Sequence, residues 1–89
     1  MEMAIKVGDV VTWSSQAGGY TATKTGTVIA LAPKGENAWT LTPRGTSRSR
    51  LMAQAVSIFD RWLIRVEQPG RATAKFYAVP TTREILKAT

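Results

Sequence analysis

Five arginines are the residues of this 89-residue chain best suited to engaging a partner. Arg44, Arg48 and Arg50 lie in a Ser/Thr-rich stretch, where planar guanidinium forks alternate with hydroxyls and can donate to phosphate oxygens at several angles. Arg61 and Arg65 stand two strand steps apart and are expected to rise from one outward face. If the first three fold beside that face, all five form a stripe of the kind that neutralising several phosphates requires. The plainer role for such charges is to keep a small protein soluble. Among the aromatics, Tyr20 in a Gly-rich loop, Trp39 and Tyr77 are candidate stacking platforms for bases, Tyr20 foremost, although loop tyrosines also fold back onto their own domain. Trp13, Trp62 and Phe76 fall on faces expected to be core.

Little else in the chain suits chemistry. It has no histidine and no cysteine, which removes the side chain best matched to proton transfer near neutral pH, disulfides and thiolate metal sites. Asp9 and Asp60 are the only aspartates, and both occupy turn or strand-entry positions where carboxylates commonly cap backbone N–H groups. Lys24-Thr25-Gly26 has the form of a short motif of penicillin-binding enzymes but lacks a Ser-x-x-Lys partner. Gly18-Gly19 lacks the Gly-Lys-Ser/Thr ending of a phosphate-binding loop. No catalytic residue, metal site or cofactor is therefore expected, and the chain is not expected to be an enzyme. Twelve Lys and Arg against six Asp and Glu give a net charge of +6, which attracts phosphate, acidic protein surfaces or anionic lipid.

The elements that would position these residues can be read from periodicity. At this length one domain, residues 1–89, with one modest core is expected. Ile5, Val7, Val11 and Trp13 mark a strand interrupted at Gly8-Asp9, and residues 14–24 read as a long, exposed polar loop. Residues 25–32 form a second strand, and Pro33-Lys34-Gly35-Glu36-Asn37 ends it. Residues 38–42 alternate at period two and predict a short third strand. Within an expected insertion spanning 35–59, Leu51, Met52, Ala55, Val56 and Phe59 share one helical face, with Ser47 as N-cap. Residues 60–67 predict a strand with Trp62, Ile64 and Val66 inward and Arg61, Arg65 and Glu67 outward. Gln68-Pro69-Gly70-Arg71 is a turn, residues 74–79 a last strand, and residues 83–87 a closing helical turn that seals the core with Ile85 and Leu86. The longest apolar run, residues 28–32, is too short to span a membrane, and the N-terminus lacks the pattern of a secretory signal, so cytoplasmic residence without membrane contact is expected.

Gly-Asp-Val-Val-Thr-Trp, a Gly/Thr-rich loop, Gly-Thr-Val-Ile, Arg-Trp-Leu-Ile-Arg-Val and Phe-Tyr-Ala-Val-Pro occur in an order that resembles small SH3-like barrels of the KOW and Tudor kind, and uncharacterised proteins of bacteria and their phages. The resemblance covers residues 5–34 and 60–86. It implies a mainly β protein, a five-stranded SH3-like barrel with a short helix inserted before the fourth strand and a C-terminal helical turn. Barrels of this kind bind RNA, DNA or a protein peptide, often through the first loop and aromatics beside it. Plasmid-borne type II dihydrofolate reductases are similar in fold and length, and their Val-Gln-Ile-Tyr run falls where this chain has Ala74-Lys75-Phe76-Tyr77. Only the tyrosine carries over, and Lys75 stands where that family has the glutamine of its shared pore. The expectation is a non-enzymatic nucleic-acid-binding module that contacts RNA or DNA through Arg44, Arg48, Arg50, Arg61 and Arg65, with Tyr20 or Trp39 stacking. The competing expectation is a phage or mobile-element inhibitor, such as an anti-CRISPR or other anti-defence protein, that binds an acidic or nucleic-acid-binding host protein. Oligomeric state is left open.

Overall fold

Val10, Val11, Thr12 and Trp13 are residues that pack well on a pleated surface, as are the Thr, Val and Ile of residues 25–29, and the two stretches belong to one long hairpin. In the computed structural model, which describes residues 4–17, 20–70 and 73–88, β1 (Val10–Ala17) pairs antiparallel with β2 (Tyr20–Ala32), Val10 opposite Thr27 and Ala17 opposite Tyr20. The Gly-Asp step sets the entry to this hairpin. Gly8 adopts a φ of 98°, its N–H donates to the Val28 carbonyl at 2.8 Å, and the Val28 N–H returns a bond to the Asp9 carbonyl at 2.9 Å. The Asp9 carboxylate accepts the Lys6 N–H at 3.0 Å and lies 3.6 Å from Lys6 Nζ and 3.5 Å from Lys87 Nζ, tying the start of the chain to its end.

β3 (Arg61–Val66) pairs with β2 and β4 (Lys75–Pro80) with β3, while β5 (Leu86–Lys87) lies on the outer edge of β1. The sheet is antiparallel throughout, in the order β4-β3-β2-β1-β5. A register shift between Val28 and Ala30 leaves Ile29 as an extra residue in β2, the local kink of a β-bulge. Successive residues of β3 and β4 feed apolar clusters on opposite faces. Val11, Trp13, Val28, Ile64 and Val79 form one, with Trp62, Val66, Tyr77 and Ile85 packed against it. Ala32, Ala38, Leu63 and Phe76 form the other, with Ile29 and Leu51 beside them. Trp13 and Phe76 are buried and Trp62 is half-buried.

Four expectations are corrected. The polar run 14–24 is not a loop: its described residues extend the hairpin, because paired strands satisfy their backbone groups and Thr21, Thr23 and Thr25 suit a strand as well as a turn. Residues 38–42 are not a strand but contain a 3-10 turn, Ala38–Leu41, since Asn37 Oδ1 accepts the Trp39 N–H and the Thr40 and Thr42 hydroxyls donate back to the carbonyls of Asn37 and Trp39. The helix expected near 51–59 does not form. Ser47 does cap, at the Ser49 N–H, but the 3-10 turn it opens runs only Arg48–Arg50, after which Leu51 bridges to Phe76 and the Met52 N–H donates to the Phe76 carbonyl. The closing helical turn is instead β5: the Arg83 N–H closes a turn onto the Pro80 carbonyl, Ile85 joins the core, and Leu86 is left exposed as its backbone pairs with the open edge of β1.

Gly26, on β2, lies tight against β3. A Cβ there would stand 2.5 Å from the Arg65 carbonyl oxygen and 2.7 Å from Ile64 Cγ2, and the first of these is backbone. Gly26→Ala is expected to cost about 1–3 kcal/mol by overpacking, read as a lower urea midpoint; an unchanged midpoint would contradict this close approach. Asp9 supplies a pH dependence. Its backbone bond from Lys6, followed by the Lys6 and Lys87 charges, outweighs desolvation and holds its carboxyl below the usual carboxylate pKa of 3.8. The carboxylate therefore stabilises the fold above the unfolded-state value, and that stability is lost as pH falls through the lower folded-state value. Asp9→Asn should be less stable than the parent at pH 7, with the difference shrinking below about pH 4.

Candidate functional site

The expected five-arginine stripe divides into an inward and an outward part. Alternation along β3 puts Arg61 and Leu63 on the face opposite Ile64, but that face is covered by residues 35–59, so Arg61 is only 4% exposed rather than solvent-facing. Its Nη1 donates to the Gln54 carbonyl at 2.6 Å and its Nη2 to the Ala55 carbonyl at 2.9 Å. Its Nε is buried and has no hydrogen-bond partner among the described residues. Burial pulls the guanidinium pKa below its ordinary value, from which a guanidinium has far to fall before it loses its charge near neutrality. Arg61 is a fastening for the covering segment and leaves the list of partner-binding residues.

Arg44, Arg50 and Arg65 do converge. They line a shallow groove of about 410 Å³ with Ile29, Pro43, Gly45, Thr46 and Phe76, and none of these lining residues is acidic. Arg44 is presented by a tight turn in which the Thr46 N–H and hydroxyl both donate to the Pro43 carbonyl, at 3.1 and 2.7 Å. Gly45, at φ 88°, occupies the third turn position that demands a left-handed residue. Arg50 extends across the Phe76 ring, 5.9 Å from its centroid, and donates from Nε to the Ala74 carbonyl at 3.0 Å, a bond that uses Nε rather than the outer Nη groups. Arg65 pairs with Glu67 at 2.8 Å with both side chains well exposed. Such surface pairs contribute about 0–1 kcal/mol, so a phosphate can displace Glu67 at small cost.

Arg48 and Trp39 sit next door. The Arg48 guanidinium lies over the indole, its Cζ 4.7 Å from the ring centroid, and the indole Nε1–H donates to the Thr46 carbonyl at 2.9 Å. Trp39, Thr40 and Thr42 line a second hollow of about 400 Å³ that shares Pro43, Arg44, Gly45 and Thr46 with the groove. Tyr20 stands apart: its backbone closes the described end of the hairpin opposite Ala17, nine residues from Ile29 and roughly 30 Å along the strand, and its side chain lies outside the described residues. Tyr77 packs edge-on against Trp13 at 5.8 Å on the other face, with Lys24 over its ring.

Phe76 as the groove's apolar floor and Thr46 as its buried hinge were not evident from residue type alone. The Pro43-Arg44-Gly45-Thr46 string is the signal that points to the turn, with Gly where a positive φ is needed. Among the described residues no group of three His, Cys, Asp or Glu could hold a metal ion, and no helix is long and apolar enough to cross a membrane. The chain matches no family model, no curated protein and no solved structure.

The two kinds of arginine should separate experimentally. Arg61→Met leaves the Gln54 carbonyl without its donor and is expected to cost about 2–4 kcal/mol in urea denaturation, given about 1.5–3 kcal/mol for each hydrogen bond from a charged group. Arg65→Met, which breaks only an exposed pair, should cost less than about 1 kcal/mol. Equal losses would refute the structural assignment of Arg61.

Proposed function

We propose that this chain is a non-enzymatic, cytoplasmic binding module built on an SH3-like barrel, and that it binds nucleic acid through Arg44, Arg48, Arg50 and Arg65. The barrel reading is supported by the Gly-Asp entry turn, the long bulged β2 shared by β1 and β3, and the short β5 laid along β1. The observation that carries the binding reading is the convergence of Arg44 and Arg50, from the segment between β2 and β3, and of Arg65, from β3, on one groove with no acidic residue among its described lining. Guanidiniums presented this way recognise phosphate by charge and by paired N–H donors, which contributes affinity without reading sequence. A net charge of +6 adds long-range attraction for the same ligand.

Exposed Val56, Ile58 and Phe59 favour a second reading, a mobile-element inhibitor such as an anti-CRISPR protein that docks on a host protein. Salt separates the two. Three phosphate-contacting cations on a single strand, Arg44, Arg50 and Arg65, predict that log K falls against log salt with a slope of about −2, at roughly −0.7 per phosphate neutralised. Arg44→Glu with Arg50→Glu should weaken binding of an RNA decamer more than about tenfold and flatten that slope. Absence of binding to RNA and duplex DNA at low salt overturns the nucleic-acid reading, and retention of a defined protein after nuclease treatment and high salt would then support the second.

A further inference from the structure

We propose that the ligand is single-stranded nucleic acid, and that Arg48 serves as a stacking platform for one unpaired base rather than as a phosphate contact. The inference rests on the nucleic-acid reading above. Trp39 is held at both ends, its backbone N–H by Asn37 Oδ1 at 3.0 Å and its indole N–H by the Thr46 carbonyl at 2.9 Å. The backbone of Arg48 is held as well, by the Ser47 cap before it and by the Leu51 N–H donating to its own carbonyl at 3.1 Å. A guanidinium resting 4.7 Å over an anchored indole is pre-positioned, and the cation–π attraction lowers the entropy lost on binding. Arg48 is an exposed residue.

Nucleobases stack on guanidinium planes as they do on aromatic rings, giving a three-layer stack of indole, guanidinium and base. Arg44 connects this stack to the groove, because it lines both hollows. On this reading the backbone of a strand whose base stacks on Arg48 would pass Arg44 and enter the groove that Arg50 and Arg65 line. Each hollow, at about 400 and about 410 Å³, lies within the range of ~300–1,000 Å³ that seats a small ligand. A duplex cannot use this arrangement, because its base faces are already covered by their neighbours and only backbone and groove edges are offered.

The test compares a uridine decamer, a decamer of the same backbone with abasic sites, and a duplex of equal length, against the parent and Arg48→Lys, which keeps the charge but not the plane. The parent is expected to bind the uridine strand about 5- to 100-fold more tightly than the abasic strand, at the usual strength of base stacking. Arg48→Lys is expected to bind both strands with the parent's affinity for the abasic one. Equal affinity of the parent for uridine and abasic strands, tighter binding of the duplex, or a preference unchanged in Arg48→Lys overturns this inference while leaving phosphate binding intact. Failure of the parent to bind any of the three overturns the nucleic-acid reading itself.

Discussion

A buried guanidinium with carbonyl partners holds the irregular segment of this molecule to its sheet. Residues 33–60 contain no strand and only two short 3-10 turns, so most of their backbone groups must find partners outside any local ladder. Arg61 answers two of those carbonyls, Gln54 and Ala55, from the sheet. Around it the segment closes on itself, Ala38 N–H to the Ala55 carbonyl and Gly35 N–H to that of Ser57, and Asp60 holds the Lys34 N–H across the neck. Burying a cation costs several kcal/mol when it is unpaired, and here the offset comes from oriented peptide dipoles supplied by the segment being held. The fastening and the thing fastened are therefore mutually dependent. Once in place, the segment completes a dry second face for the sheet, over Ala32, Leu63 and Phe76.

That dependence explains which features were legible in the chain and which were not. Local signals worked where structure is local. The Gly8-Asp9 turn, the strand residues 10–13 and 25–32, the strands on either side of Pro69-Gly70, and the positive φ of Gly70 all follow from neighbours in sequence. Alternation along β3 correctly placed Trp62, Ile64 and Val66 together. It could not say that the opposite face is dry as well, because what covers that face has no period to read. Arg61 looked like an outward charge for this reason, since one polar residue per two positions is the pattern of a half-solvated strand. The helical spacing of Leu51, Met52, Ala55, Val56 and Phe59 failed for the complementary reason. The carbonyls of Gln54, Ala55 and Ser57 are taken by Arg61, Ala38 and Gly35, and an i to i+4 ladder would have to surrender those bonds.

Which of the expected site residues share one surface was legible only in part. Residue type marked arginines among hydroxyls as phosphate donors, and four of the five arginines lie in or beside the paired hollows. Distance decides the rest: Tyr20 belongs to the far end of a paired hairpin where the polar composition of residues 14–24 predicts a loop, and Arg61 is buried. Phe76 is the converse case, an aromatic assigned to the core that is both core and groove wall, because a residue under a thin covering segment contributes to both.

Fold and site are linked through the same covering segment, and unequally for its members. Arg44, Arg48 and Arg50 all lie on the stretch that Arg61 helps to hold, whereas Arg65 is carried by β3 itself. Loosening the segment would move three guanidiniums together and leave the fourth where it is, so the spacing between Arg65 and the others depends directly on how firmly the segment is seated. The hydroxyl bond of Thr46 and the indole bond of Trp39 then act within the segment, fixing Arg44 relative to Arg48 once Arg61 has fixed the segment relative to the sheet. On the proposed function, positioning cations this way would limit the entropy lost on binding a phosphate, which flexible surface arginines of equal charge would not do. The unusual placement of one arginine in the core thus bears on how the remaining four can act as a unit.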